Sequence, residues 1–293
     1  MLIRIVMTTA LAGLLAGGAI SGAQAQQPAS SGQQAAANPS GWTFNIAPYG
    51  WFADVNMTSN LPLPPALGGT VTTDSSIGFG NLLSHLNFAA MVAADAQYGR
   101  FSVLTDFMYL NAGGAASDIR SVNFFGLSPI PISGAVRKSA GVNLNTKIWT
   151  LAGGYTIVEG DWGNFDVIAG FRYLGIPVSV DYSLGVTLTG PRGNGATFGG
   201  IGSVSGTASI WNGIGGFRGR IRLGDTGLFI PYYFDAGTGG SNLTWQIASG
   251  LGYQTGWVAA SLTYRYLSFQ QGSSAVVQHL SIKGPMLMAS FTF

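Results

Sequence analysis

The chain has 293 residues, a formal net charge of +2, 8% charged residues, 12% aromatic residues, 45 glycines and no cysteine. Soluble domains carry roughly 25% charged residues, so this surface is too poor in charge to face water on every side, yet no internal run of about 18 uncharged apolar residues supplies a helical span. Without cysteine there are no disulfides, no thiol catalysis and no Cys-based metal site, and so small a net charge favours no nucleic-acid partner.

Residues 1–25 read as a secretory signal: Arg4, an apolar run from Ile5 to Ile20, and Ala23-Gln24-Ala25 as a small-x-small cleavage site. Gln26 to Ser40 is rich in Gln, Ala, Ser and Pro and has no period, the pattern of a flexible leader. From residue 41 onward the chain alternates. Trp42, Phe44 and Ile46 share one parity, with Thr43, Asn45, Ala47 and Tyr49 on the other, and Pro48 removes a ladder donor near the middle of this strand. Residues 58–86 are expected to form one long loop, because Leu61-Pro62-Leu63-Pro64-Pro65 suits no central strand and Asn81 to Leu86 has the spacing of a short helical turn.

Hairpins follow. Phe88, Ala90, Val92 and Ala94 oppose a parity that includes Asp95; Gly99 turns the chain; Phe101, Val103, Phe107 and Tyr109 then point opposite to Asp106. Residues 111–140 read as a loop with room for an extra hairpin. Trp149, Leu151, Tyr155 and Ile157 mark the next strand, and Phe165, Val167, Ala169, Phe171 and Tyr173 return opposite Asp166 and Arg172. The Gly-rich region 178–206 is expected to be a loop. Between 207 and 223, Trp211, Phe217, Ile221 and Leu223 share one parity and Arg218, Arg220 and Arg222 the other. Next, Leu228, Ile230, Tyr232 and Phe234 oppose Asp235. Leu243, Trp245, Ile247, Leu251 and Tyr253, then Val258, Leu262, Tyr264 and Tyr266, form two more apolar rows, the second opposite Arg265. In the last strand Phe291 and Phe293 oppose Ser290 and Thr292, with Pro285 expected to mark a bulge that resets parity from the apolar Leu280 and Ile282, which then face outward and leave Lys283 inward.

Strands of about ten residues with one apolar and one polar face, aromatic at their ends, are the signature of an all-β, antiparallel, up-and-down transmembrane β-barrel, with lipid outside and a polar lumen inside. An arginine on the lipid face near the midplane costs about 2–4 kcal/mol, so the Arg218-Arg220-Arg222 row belongs to the lumen. The count is about ten strands, or twelve if 58–86 or 111–140 contributes a hairpin. The connections at 98–100, 159–163, 224–227 and 254–256 are short and most of the others long, so both termini are expected on the periplasmic side of a bacterial outer membrane.

Pro48-Tyr49-Gly50-Trp51, Asn81-Leu82-Leu83, Gly154-Tyr155, Ala169-Gly170-Phe171-Arg172-Tyr173, Leu243-Thr244-Trp245-Gln246, Gly250-Leu251-Gly252-Tyr253, Tyr264-Arg265-Tyr266-Leu267 and Gly284-Pro285 together resemble a group of small, largely uncharacterised proteobacterial outer-membrane β-barrel proteins. The resemblance runs from Trp42 to the end of the chain. It implies a porin-like barrel in the outer membrane and assigns no chemistry.

The expected lumen residues are Asp95, Asp106, Asp166, Asp235, Arg172, Arg218, Arg220, Arg222, Arg265 and Lys283. They either pair across a filled interior, since unpaired charges are costly in a confined space, or line a narrow passive path for small solutes, biased toward anions. A surface-binding role for loops 58–86 and 178–206 is the competing function. His85 and His279 are the only histidines; with no clustered carboxylates they point to neither a catalytic site nor a metal site, and no cofactor is expected. The expected partners are outer-membrane lipid and, through the terminal strand ending at Phe293, the barrel assembly machinery.

Overall fold

The computed structural model describes residues 41–62, 69–117, 121–124, 130–131, 140–189, 195–239 and 242–293. The expected signal segment 1–25 and leader 26–40 lie outside the described residues. In chain order the strands are β1 (Trp42–Trp51), β2 (Asp54–Pro62), β3 (Gly69–Ile77), β4 (Leu86–Tyr98), β5 (Phe101–Ser117), β6 (Ser121–Phe124), β7 (Ile130–Pro131), β8 (Ala140–Gly160), β9 (Gly163–Thr189), β10 (Gly195–Arg222), β11 (Leu228–Gly239), β12 (Asn242–Thr255), β13 (Val258–Gln270) and β14 (Val277–Thr292). One short helix, α1 (Phe79–Ser84), precedes β4.

Ten of these strands form a closed antiparallel ring in the order β1, β4, β5, β8, β9, β10, β11, β12, β13, β14, and β14 pairs back onto β1 from Asn45↔Thr292 to Trp51↔Met286. Closure removes the unpaired edges that an open sheet would carry into lipid. The ring reads as a membrane-spanning β-barrel because its outward rows are apolar and end in aromatic girdles. At the short-turn end, Trp42 packs on Tyr98 (5.1 Å between centroids) and Phe101 on Tyr155 (5.0 Å). Toward the long-loop end, Trp149 packs on Phe171 (5.1 Å), Tyr173 on Trp211 (4.7 Å) and Trp245 on Tyr266 (4.7 Å). From Tyr253 to Trp245, at about 3.3 Å per residue and a tilt of roughly 40°, the belt is roughly 20 Å tall.

Above the second girdle the polarity of the strands inverts while their pleat does not. In β13, Leu262, Tyr264 and Tyr266 face outward, but the next large apolar residues, Leu267 and Phe269, are buried inward. β9 does the same with Phe171 and Tyr173 outside and Leu174 and Ile176 inside, and β14 with Leu287 outside and Ile282 and Leu280 inside. Below the girdle lipid is the apolar solvent. Above it the outside is water, so the hydrophobic effect places the apolar side chains in the barrel interior, as in a soluble barrel.

This corrects the expected parity reset at Pro285. The β13–β14 register runs unshifted from Val258↔Phe291 to Gln270↔His279, and β1 and β2 hold one register against β14 on either side of the proline (Trp51↔Met286, Asp54↔Lys283). Pro285 has no N–H to give to that ladder; its carbonyl still accepts from Phe52 N at 2.9 Å. Pro48 has a larger effect: the β1–β4 ladder stops at Pro48↔Val92, and beyond it the chain follows β14 alone.

Three expected loops contain strands. Residues 58–86 hold the end of β2, all of β3 and α1, so this segment is a hairpin on the flank of β14, with Leu61 and Pro62 at its tip paired only to Val71 and Thr70. Residues 111–140 include the last turns of β5, the start of β8 and a small β6–β7 hairpin. Residues 178–189 and 195–206 are strand rather than loop: β9 and β10 stay paired from Ile221↔Gly163 to Gly195↔Thr189. The alternation Val178, Val180, Tyr182, Leu184, Val186, Leu188 is a strand pattern.

Candidate functional site

Among the described residues, charged side chains from many strands converge in the lumen, which is built in layers. At the short-turn mouth, Arg220 Nη1 donates to Gln254 Oε1 (2.7 Å), the guanidinium lies 5.9 Å from the Phe229 ring, and Arg222 is exposed. One step inward, Arg218 on β10 reaches across the interior to β4 and β5. Its Nη2 donates to Asp95 Oδ2 (2.6 Å) and Ser102 Oγ (3.0 Å), and its Nε lies 3.4 Å from Asp166 Oδ2. Thr156 Oγ1 (2.9 Å) and Asn164 Nδ2 (3.0 Å) donate to the other Asp166 oxygen.

The next layer is a continuous chain of charge-assisted bonds. Arg172 and Asp235, both 0% exposed, form a two-pronged pair at 2.8 and 2.5 Å. Arg172 also donates to Thr150 (3.2 Å), Thr244 (3.3 Å) and Gln246 Oε1 (3.2 Å). That same Gln246 oxygen accepts from Arg265 Nη2 (2.8 Å), which further donates to Asp106 Oδ2 (2.7 Å), while Tyr49 OH donates to Asp106 Oδ1 (2.6 Å) and accepts from Arg265 Nη1 (3.3 Å). The chain Asp235-Arg172-Gln246-Arg265-Asp106-Tyr49 thereby ties β11, β9, β12, β13, β5 and β1 together through the interior. Each arginine of this layer faces a carboxylate, which offsets part of the desolvation of both ions, while the buried Arg265 Nε has no hydrogen-bond partner among the described residues.

Above this layer the described interior is mostly apolar. The Arg265 guanidinium lies 4.7 Å from the centre of the Trp51 ring, closing the charged layer. Over it sits the main hydrophobic core, which includes Trp51, Met57, Ile77, Leu82, Met108, Leu174, Ile176, Ile210, Leu267, Phe269 and Leu280. β2, β3 and α1 contribute to this core, with Leu82 turned inward, Phe79 against Phe52 (5.2 Å), and Phe79 N donating to Asp54 Oδ1 (2.9 Å). A cavity of about 20 Å³ lies there, lined by Trp51, Leu82, Met108, Leu280 and other mostly apolar neighbours. That is room for about one water, with almost no partner for it.

Of the expected lumen residues, Asp95, Asp106, Asp166, Asp235, Arg172, Arg218 and Arg265 come together in these two layers, Arg220 lies at the mouth and Arg222 at its rim. Lys283 does not belong. It shares the outward parity of Leu287 and Phe291, lies beside Tyr266 on β13 and Asp54 on β2, and was placed inside only by the supposed reset at Pro285. Tyr49, Thr150, Thr244 and Gln246 complete the network and are its unforeseen members. Their inward parity was readable; their partnership with arginines on distant strands was not.

His85 Nδ1 lies 2.9 Å from Asn81 O and 3.0 Å from Ser84 Oγ at the end of α1, and His279 pairs across the sheet with Gln270 and Thr58. Among the described residues no group of three His, Asp or Glu side chains is placed to hold a metal ion.

No family model matches the chain. No curated protein sequence matches it either. Solved structures of similar shape are outer-membrane barrels. The outer membrane protease OmpT from Escherichia coli aligns with a TM-score of 0.46 at 10% identity, over 86% of this chain and 97% of that one. The translocator domain of the autotransporter NalP from Neisseria meningitidis aligns at 0.36 and 16%, over 88% and 91%. Ail, the attachment invasion locus protein of Yersinia pestis, aligns at 0.32 and 8%, over 86% and 99%.

Proposed function

We propose that this protein is an integral outer-membrane barrel with a closed lumen, a structural scaffold rather than an open pore, whose long-loop end faces the cell exterior. The reading rests on one observation: an apolar core, with a cavity of about 20 Å³ in it, lies over a charged layer in which Arg172 faces Asp235 and Arg265 faces Asp106 across the lumen. In this reading the arginine row is a set of struts. Arg218 is neutralised by Asp95 and Asp166, so that of the arginine row Arg220 and Arg222 remain at the mouth to attract an anion.

Residues 1–25 act as the secretion signal and 26–40 as a periplasmic leader, with both ends of the barrel domain in the periplasm. The final strand to Phe293 is the segment offered to the assembly machinery. The motifs from Pro48-Tyr49-Gly50-Trp51 to Gly284-Pro285 support reading the chain as one of the uncharacterised proteobacterial barrels it resembles. A surface-binding role is a second reading, favoured by the β9–β10 pair, which continues far beyond the girdle formed by Tyr173 and Trp211.

The test is planar-bilayer conductance of the refolded barrel. The closed reading expects no resolvable steps in concentrated KCl. Steady single-channel openings would overturn it, and anion selectivity lost on replacing Arg218, Arg220 and Arg222 by Gln would restore the narrow-channel reading.

A further inference from the structure

The β9–β10 pair outlasts both of its neighbours. The β8–β9 ladder ends at Lys147↔Gly175, two residues before Pro177, and the β10–β11 ladder ends at Gly213↔Thr238. Beyond those points β9 and β10 pair only with each other among the described residues, up to Gly195↔Thr189. The result is a two-stranded ribbon reaching, at about 3.3 Å per residue, roughly 50 Å along the strand from Trp211 to Gly195.

Its two flanks differ. The β9 flank carries Pro177 and Asp181, but the β10 flank from Gly195 to Asn212 has no proline and no Asp, Glu, Lys, Arg or His. Edges that no other strand covers are normally guarded by proline, by charge or by shortness, and this one, uncovered among the described residues, has none of those guards. A row of unpaired backbone N–H and C=O groups is matched along its whole length only by another extended backbone.

Symmetry and charge select the occupant. A second β10 edge has the same length, pleat and neutrality, so an antiparallel pair of identical edges is self-complementary about a two-fold axis perpendicular to the strands. Two copies in one membrane hold β10 pointing the same way and level with each other, and level identical residues do not form the slanted bonds of a parallel ladder. We propose that the β10 edge above the girdle pairs antiparallel with the same edge of a second copy anchored in an apposed membrane. The pairing rests on the reading that the long-loop end is extracellular.

The cysteine-free background makes the test direct. Thr197, Ile201, Ser203, Ser205 and Thr207 are replaced one at a time by Cys in the full chain, and the purified barrels are oxidised in detergent. Cross-linking confined to one or two adjacent positions, with a dimer in sedimentation, is the expected result. Cross-linking spread evenly over all five positions, or a monomer throughout, overturns the proposal. Ser203→Lys, which sets like charges near the two-fold axis, should weaken the dimer at least tenfold while leaving the heat-resistant folded band of the barrel unchanged; an undiminished dimer also overturns it. After reduction, labelling of S203C on intact cells with a membrane-impermeant maleimide separates the two ideas. Labelling without any dimer sinks only the pairing. Absence of labelling sinks the extracellular orientation and the pairing with it.

Discussion

Replacing Asp235 by Asn removes one partner of a pair in which neither side chain touches solvent. The variant keeps the shape and removes the charge, so the Arg172 guanidinium stays inside without its counter-ion. Breaking a buried ion pair in this way costs about 3–5 kcal/mol. Thr150, Thr244 and Gln246 still accept from Arg172 at 3.2 to 3.3 Å, which favours the lower end, about 3 kcal/mol. With an m value of about 3 kcal/mol/M in urea, the unfolding midpoint of the barrel in lipid vesicles, followed by tryptophan fluorescence, should fall by about 1 M. The matched change at the Arg218–Asp95 pair, whose side chains are 21% and 23% exposed, Asp95→Asn, should cost less, about 1 kcal/mol, because solvent partly screens it. Replacing both partners, Arg172→Met with Asp235→Leu, should recover most of the loss. A D235N barrel within about 1 kcal/mol of the wild type, or equal to D95N, would show that water reaches this layer and would refute the closed lumen.

Asn212 is 1% exposed on the inward face and neither of its side-chain polar atoms has a partner; Asn212→Leu should therefore stabilise the barrel by about 1–2 kcal/mol in the same urea experiment, since an unsatisfied buried amide costs about that much. Two glycines contrast: a Cβ at inward Gly170 collides with Leu151 O and the Ala152 Cα, whereas one at outward Gly213 meets only Thr238 O at 3.8 Å. Gly170→Ala should lower stability by about 1–3 kcal/mol, with Gly213→Ala within about 0.5 kcal/mol, as read by urea midpoints. Phe269→Ala should cost about 3–5 kcal/mol through the cavity it leaves, and bilayer recordings should still show no conductance because the charged layers remain beneath it.

Much of the barrel was legible in the sequence because lipid imposes a simple rule below the second girdle. Trp211, Phe217 and Ile221 against Arg218, Arg220 and Arg222 permit one orientation only, and the same rule placed Asp95, Asp166, Arg172 and Arg265 inside. It failed where the outer solvent changes. Leu280 and Ile282 are apolar and so were assigned outward, which required a bulge at Pro285 and carried Lys283 into the lumen; the register contains no such bulge. Val178 to Leu188 alternates as cleanly as any strand, but the surrounding glycines and serines read as loop. In β2 and β3 the prolines at the tip masked a hairpin whose body obeys period two. The network itself was beyond reach, because a link such as Arg172 to Gln246 depends on which strands face each other through the lumen, and one-dimensional alternation carries no such information.

The inversion of polarity above the second girdle bears on how the far half of the molecule becomes ordered. A core assembled from the ends of many strands, with the sequence distance between Tyr49 and Met286 to close, would on its own face a large loop-closure entropy and a slow search for non-local partners. Here the same strands emerge from the bilayer already registered and at fixed spacing, held by ladders such as Asn45↔Thr292 and Val258↔Phe291. The membrane-embedded half acts as a clamp that meets most of that entropic cost beforehand. The water-facing core then has little left to order beyond its side chains, β2, β3 and α1, and it should open locally, at α1 first, well before the clamp releases.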